Sequence, residues 1–410
     1  MKPGTPGFNG ARLREAREAR GLPAIALADL IGVTRAAVSQ YENSVQTPRP
    51  EVMEKIARTL QLPQEYFRRP ISRIERGAIF YRSMSAATKA ARARAECRYS
   101  WLREIVTYLR EFVQFPPMNI PDFNLPDDPV RISYNQIEEL ATQSRQFWKI
   151  GEGPIGNVVR LLENNGIVVV RDELGAETLD AFSEFNAEDG TPYIILGSDK
   201  AVAVRSRFDA AHELGHLILH RNINKNRLSR PTDHQLIETQ AHRFAGAFLL
   251  PGQAFASEFY SANLDALRIL KPKWKVSIAM MVKRAEDLEF ISSEQAKRLW
   301  INYSRRRWRA KEPLDGELEV EQPRLLVRAF ELLLNEGIQT CEQILSHLPL
   351  NPNDIEALAT LSGQLTKTSA DEPSVRVLDL TGRTRQKSQH QIDKPGQVIQ
   401  FAARKPHPTG

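Results

Sequence analysis

Phe208-Asp-Ala-Ala-His-Glu-Leu-Gly-His-Leu-Ile-Leu-His220 is the stretch that decides how the centre of this chain is read. Its patterning is helical rather than extended. His212 and His216 stand four residues apart, so on a helix their imidazoles lie one above the other and can reach a single metal ion. Glu213, one step round from the first histidine, is placed to act on a metal-bound water rather than on the metal. The chain has 8 histidines in 410 residues. At that frequency an H-E-x-x-H run arises by chance about 0.01 times. Two unrelated surface histidines on an amphipathic helix are therefore the weaker reading.

A hydrolytic zinc site needs a third protein ligand and an open position for water. Leu236-Ile-Glu-Thr-Gln-Ala-His-Arg-Phe-Ala-Gly-Ala-Phe-Leu-Leu-Pro251 reads as a second helix, stopped by its proline. Ile237, Ala241, Phe244, Ala245 and Phe248 recur at helical spacing. Glu238 falls on the side carrying the small residues, where a carboxylate can approach a neighbouring helix and where burial without a partner would be costly. Glu238 is accordingly the expected third ligand, with His242, His234 and His220 as alternatives. His242 could also orient a ligand from behind.

These stretches, together with Thr191-Pro-Tyr-Ile-Ile-Leu-Gly197 and Leu249-Leu-Pro251, resemble the ImmA/IrrE family of metallopeptidases. The similarity extends through Gly153-Pro-Ile-Gly-Asn-Val-Val-Arg-Leu-Leu-Glu-Asn-Asn-Gly-Ile-Val-Val-Val170, a helix leading into a first strand, and Trp274-Lys-Val-Ser277, and covers roughly residues 130–312. The resemblance implies a zincin-like helix pair, metal ligands at His212, His216 and Glu238, and a catalytic glutamate at Glu213. It also implies a protein substrate, since several members cleave a helix-turn-helix repressor. One departure is His242, where the family usually has Asn or Asp.

The amino-terminal part carries a different signature. Leu27 and Leu30-Ile31 read as the apolar side of a short helix, Gly32 as a turn with positive φ, and Thr34 as the cap of the next helix. That helix buries Val38 and presents Arg35, Ser39 and Gln40. Arg and Gln side chains can bond bidentately to guanine and adenine edges in a major groove. Ile31-Gly-Val-Thr-Arg-Ala-Ala-Val-Ser-Gln-Tyr-Glu-Asn43 resembles the Xre/Cro-repressor type of domain. Ala24 stands where that family often has a phosphate-contacting Gln, and Ser44 where it often has Gly. Double-stranded DNA is the partner this resemblance implies, with docking onto another Xre-type protein or a plain helical packing role as competitors.

Charge divides the same way. The whole chain has 56 Lys and Arg against 50 Asp and Glu. Residues 1–115 hold 20 basic against 11 acidic side chains, whereas residues 116–372 hold 29 against 37. A basic module beside an acidic body suits local neutralisation of DNA phosphates. Cys97 and Cys341 are the only cysteines, which argues against a disulfide framework or a thiolate metal site and fits a reducing cytosol. No apolar run approaches the roughly 18 residues of a membrane span, and the start lacks a signal-peptide core. The expectation is a soluble, cytoplasmic protein with no membrane partner.

The expected fold class is α+β. Residues 1–70 form an all-α helix-turn-helix domain and 71–129 a helical linker with a Pro-rich boundary. Residues 130–312 form the zincin-like metallopeptidase domain, 313–370 a small helical element and 371–410 a flexible polar tail. A helix over Ser85–Phe115 carries an apolar stripe, Leu102, Ile105, Val106, Leu109, Phe112 and Val113, which serves either as a connector or as the seam of a homodimer. Strands are expected at Ile167–Val170, Tyr193–Leu196 and Ala201–Val204. Tyr193–Leu196 could be an edge strand that pairs with an extended substrate.

Two imidazoles and a carboxylate make Zn²⁺ the default ion, although Mn²⁺ and Fe²⁺ accept the same donors. The expected chemistry is amide hydrolysis with Glu213 as general base. Tyr193, His220, His234 and Tyr260 are candidates for stabilising the oxyanion. The functional expectation is a DNA-binding transcription regulator with zinc peptidase activity against a helix-turn-helix repressor or antitoxin. The competing classes are a regulator whose metal senses a ligand or is structural, and a peptidase-type toxin restrained by a partner.

Overall fold

A computed structural model of the chain describes residues 4–71, 80–81, 88–174, 180–186, 188–198, 202–224, 227, 230–366 and 399–400. They group into two units. No helix among the described residues is long and apolar enough to cross a membrane.

The first unit takes in residues 1–71, 93–115 and the chain from Leu326 onward. It begins with α1 (Gly10–Ala19), α2 (Ala24–Ile31), α3 (Arg35–Glu42) and α4 (Pro50–Leu60). Gly32 takes φ 73°, so α2 ends in a left-handed turn that glycine adopts at little cost. The Thr34 hydroxyl then accepts the Ala37 N–H and starts α3. Leu27 and Ile31 turn inward, but Leu30 is 61% exposed, so the expected apolar side of α2 is one residue too wide. Ser44 has φ 56°, a conformation costing roughly 1–2 kcal/mol for a residue with a side chain. Its hydroxyl recovers one hydrogen bond, accepting the Gly10 N–H at 3.2 Å.

The rest of this unit comes from far along the chain. Helix α5 (Lys89–Arg110) buries Trp101, Leu102, Ile105, Val106 and Leu109 completely. The Trp101 indole donates to the Tyr66 hydroxyl at 3.0 Å, which donates to Glu15 at 2.7 Å. The apolar stripe is thus covered by the chain itself and is core, not an open dimer seam. Helices α14 (Leu325–Asn335), α15 (Cys341–His347) and α16 (Pro352–Ala359) complete the unit. Arg20 holds Asp354 through two hydrogen bonds of 2.7 and 2.6 Å, and Arg98 reaches the same carboxylate at 3.3 Å. Residues 93–115 and 326–365 therefore pack with the amino-terminal helices, a grouping that separate linker and carboxy-terminal elements do not anticipate. Short strand β2 (Val113–Gln114) pairs in parallel with β6 (Ile399–Gln400). The expected flexible tail otherwise lies outside the described residues.

The second unit, residues 72–92 and 116–325, is built on a small sheet. β3 (Val168–Asp172) runs parallel to β5 (Pro192–Gly197), and β4 (Ala181–Phe185) runs antiparallel to β5 on its other side. The two-residue β1 (Phe80–Tyr81) pairs antiparallel with Phe182 and Ser183 at the outer edge of β4. The sheet order is β1-β4-β5-β3. Two expectations are corrected. Tyr193–Leu196 lies in the central strand, with β3 and β4 on its two sides, so it is not an edge that can take a peptide. Ala203 and Val204 begin helix α8 (Ala203–Leu219) rather than ending a strand. The apolar run there imitates a strand, but both residues are buried in the first turn of a helix. The longest strand that sequence patterning missed is β4, five residues with two polar side chains among them; the two-residue β1, β2 and β6 were also not anticipated.

Helices α7 (Val158–Asn164) and α8 pack against the sheet, and α9 (Pro231–Leu249) packs on α8 with α6 (Tyr134–Phe147) against it in turn. Every residue of α8 from Asp209 to Leu219 is buried, so the stretch carrying the histidines crosses the core, while Arg205 in the first turn is exposed. Gly215 makes that crossing close. A Cβ there would stand 3.2 Å from the Phe244 ring and 3.3 Å from the Ala241 backbone on α9. Helices α10 (Gly252–Glu258), α11 (Leu264–Trp274), α12 (Ile278–Asp287) and α13 (Ser293–Arg305) complete the unit.

Candidate metal centre

The close approach of α8 and α9 brings three donors to one point. His212 Nε2 and His216 Nε2 are 3.0 Å apart, and the two oxygens of Glu238 lie 3.4 Å from His212 Nε2 and from His216 Nε2 respectively. Donors about 2.0–2.1 Å from a tetrahedral ion lie about 3.3–3.4 Å from one another. The observed triangle fits that requirement, and its chemistry, two imidazoles and a carboxylate, suits zinc. His212 and His216 are wholly buried, while the Glu238 side chain is 15% exposed, so the triangle has one open side.

Glu213 points to the sheet side of the same site. Its Oε2 accepts the Ser183 hydroxyl at 2.6 Å, and both residues are fully buried. Ser183 was not singled out from the sequence. The signal available was a polar residue between the apolar Ala181-Phe182 and Phe185, but reading it required knowing that β4 lies against α8.

The remaining histidines take different places. His242 donates from Nδ1 to the Glu238 carbonyl at 2.7 Å. Its ring centroid is 4.5 Å from that of His212, and His212, Glu238 and His242 carry ligand atoms within 4.8 Å of one another. His234 Nε2 is 3.9 Å from Glu238. His220 sits behind His216, with their Nδ1 atoms 3.0 Å apart, and its Nε2 is 3.1 Å from Gln240 Oε1. Burial, helped by the proximity of His216 and opposed by Gln240, pushes the His220 pKa well below its ordinary value. Of the oxyanion candidates, His234 is therefore beside the carboxylate. Tyr193 is buried in the central strand, His220 lies on the far side of His216, and Tyr260 is 72% exposed on the segment after α10.

A cleft of about 780 Å³ opens at Glu238 and His242. Tyr134, Phe208, Met280 and Trp308 give it apolar walls, and Arg205 and Lys283 lie on its exposed rim. Glu312 also lines it and accepts the Ile278 and Ala279 N–H groups at the start of α12, the Tyr303 hydroxyl and the Lys271 ammonium. Burial and the neighbouring Glu312 carboxylate push the Tyr303 phenol pKa up.

In the first unit, Arg35, Ser39 and Gln40 are all exposed on α3, while Val38 and Tyr41 are buried beneath them. Arg35 and Ser39 stand one turn apart on the same face, with Gln40 one step round. Beneath this helix, Arg17 grips the buried Glu42 at 2.5 and 3.0 Å, which pins α3 against α1.

Two family models match the chain. Residues 162–286, which contain His212, Glu213, His216 and Glu238, match the peptidase model described as the IrrE N-terminal-like domain. Residues 13–67, which contain α2 and α3 entire, match the helix-turn-helix model. Comparison with the curated proteins finds no match. The chain joins an Xre-type helix-turn-helix domain to an ImmA/IrrE-like peptidase domain.

Proposed function

We propose that the protein is a DNA-binding regulator that also hydrolyses peptide bonds at a zinc centre held by His212, His216 and Glu238. The observation that carries this reading is the donor triangle with Glu213 beside it, open on one side to a peptide-sized cleft. When bound, zinc would lower the pKa of a water and polarise the scissile carbonyl. Glu213 takes the proton from the attacking water and passes it to the leaving amine. Ser183 holds the Glu213 carboxylate in one plane through the transfer. Tyr134, Phe208 and Met280 receive the apolar side chains of the substrate and keep bulk water from the reacting bond. His234, beside Glu238, is placed to donate to the developing oxyanion.

The substrate in this reading is a helix-turn-helix repressor or antitoxin, and the basic amino-terminal module brings the peptidase to the promoter where that protein sits. Co-expression of candidate repressors with the native chain or with Glu213→Gln, followed by mass spectrometry of both proteins, tests it. A new pair of fragments with the native chain alone supports cleavage. If no candidate is cut, a regulator with a sensing or structural metal becomes the better account.

Metal content supplies a direct check of the ligand set. Purified native protein should carry about one transition-metal ion per chain. His216→Ala should lose it, because two remaining donors hold zinc weakly, and inductively coupled plasma spectrometry reads the ratio. A full complement of metal in His216→Ala would place the ion elsewhere.

For the DNA module, Arg35→Ala and Gln40→Ala should each weaken operator binding by roughly 1–3 kcal/mol if they read base edges. Binding should also fall steeply with salt. Fluorescence anisotropy on promoter fragments, the chain's own included, measures both. Unchanged affinity in both variants would make α3 a protein-docking surface instead.

A further inference from the structure

We infer that Gln240 and His220 form a positioning relay that holds His216 in the one tautomer able to ligate a metal. This rests on the proposed role of His216 as a ligand. The relay starts from two backbone carbonyls. Gln240 Nε2 donates to Pro129 O at 2.7 Å and to Ile132 O at 2.9 Å, so both of its amide protons are committed and the amide cannot be turned round. Its Oε1 therefore faces His220 Nε2, at 3.1 Å, as an acceptor. His220 must carry its proton on Nε2.

With its one proton placed on Nε2 by the Gln240 acceptor, the His220 ring presents a lone pair at Nδ1. That lone pair meets His216 Nδ1 at 3.0 Å. A hydrogen bond of that length needs one proton, and with His220 in this tautomer it comes from His216. His216 is thus protonated on Nδ1 and bears its lone pair on Nε2, the atom that faces His212 and Glu238. The reverse tautomer would aim an N–H at the site and could not bind a cation. The two relay side chains and their target are buried: Gln240, His220 and His216 each have 0% exposure. Solvent does not compete for these bonds. The segment 129–132 thereby reaches the metal position through two side chains, without supplying a ligand.

His220 and Gln240 are positioning residues in this account, because neither touches the metal position or a substrate. The test uses full-length protein with ¹⁵N-labelled histidine. Long-range ¹H–¹⁵N spectra of the metal-free form report the tautomer of each ring, and competition with a chromophoric chelator reports zinc affinity. The native spectrum should show His216 protonated at Nδ1 and His220 at Nε2. His220→Leu should lose the His216 preference and weaken zinc binding about 10–100-fold, the usual cost of removing a ligand's outer partner. His220→Asn, which keeps an acceptor near the former Nδ1, should recover much of that affinity. Gln240→Met, similar in volume but without the amide, should weaken zinc binding in the same direction as His220→Leu. A purely space-filling role would shift only the melting temperature of the metal-free protein. Native zinc binding with equal affinity in His220→Leu and Gln240→Met, or a native His216 protonated at Nε2, would overturn the relay. Native protein that binds no zinc would overturn the ligand set itself.

Discussion

Glu213→Gln should bind metal as the native chain does and lose peptide hydrolysis by about 10²–10⁴-fold, the range for a general base removed from its reaction. The amide is nearly the same size as the carboxylate, and Ser183 can still donate to its oxygen across the 2.6 Å contact. The triangle of His212, His216 and Glu238 is untouched by the change. What disappears is the basic lone pair that accepts the proton of water. The measurement is paired: metal per chain, and turnover of a quenched peptide or repressor substrate. Equal loss of metal in Glu213→Gln would show that Glu213 is itself a ligand. Retained turnover would remove it from the chemistry.

Glu312→Ala should cost about 3–5 kcal/mol of stability, the range for breaking a buried ion pair by deleting one member. Lys271 is completely buried, and its ammonium sits 2.8 Å from Glu312 and 2.5 Å from Asp315. Removing Glu312 leaves that charge with half of its compensation. It also strips the Ile278 and Ala279 N–H groups of their acceptor at 2.8 and 2.9 Å, at the end of α12 where a carboxylate is further favoured by the helix dipole. Chemical denaturation of the full chain, followed by tryptophan fluorescence, reads the loss because Trp274 and Trp308 belong to this region. Glu312→Gln should lose less, since its carbonyl oxygen still accepts. A loss under about 1 kcal/mol for Glu312→Ala would mean that water in the cleft takes over the role of the carboxylate.

Much of the site could be read before any fold was known, because its spacing is local. Histidines four apart stack on any helix, so His212 and His216 needed only a helical pattern. Glu238 needed one step more, the idea that a carboxylate beside Ala241 and Ala245 faces a neighbouring helix. In the structure that neighbour is α8, at the position where Gly215 removes the obstacle. The turn at Gly32 and the cap at Thr34 were legible for the same reason, since each is a conflict or bond settled within four residues.

Ser183, His220 and Gln240 were of another kind. Ser183 meets Glu213 across 30 residues, and Gln240 takes its orientation from carbonyls 111 and 108 residues away. Nothing in the local pattern marks such partners, because a buried polar side chain reads like any other until its acceptor is in place. The strand errors have the same origin. Ala203-Val204 and Tyr193–Leu196 are apolar runs whose burial comes from both sides, which erases the periodicity that separates helix from strand and edge from centre.

By itself, then, the sequence determined the two histidines and the glutamate between them, the module at residues 13–67 that turns at a glycine and caps at a threonine, and the α+β class. These follow from backbone sterics and helical pitch, which act over a few residues. Tertiary structure decided the rest: that residues 326–365 return to pack with the amino-terminal helices through Asp354, that β5 is a central strand, and that Ser183 donates to Glu213. It also decided that His216 turns its Nε2 toward His212 and Glu238. Those outcomes depend on hydrogen bonds between distant residues in a dry core, where each polar atom must find its partner in three dimensions.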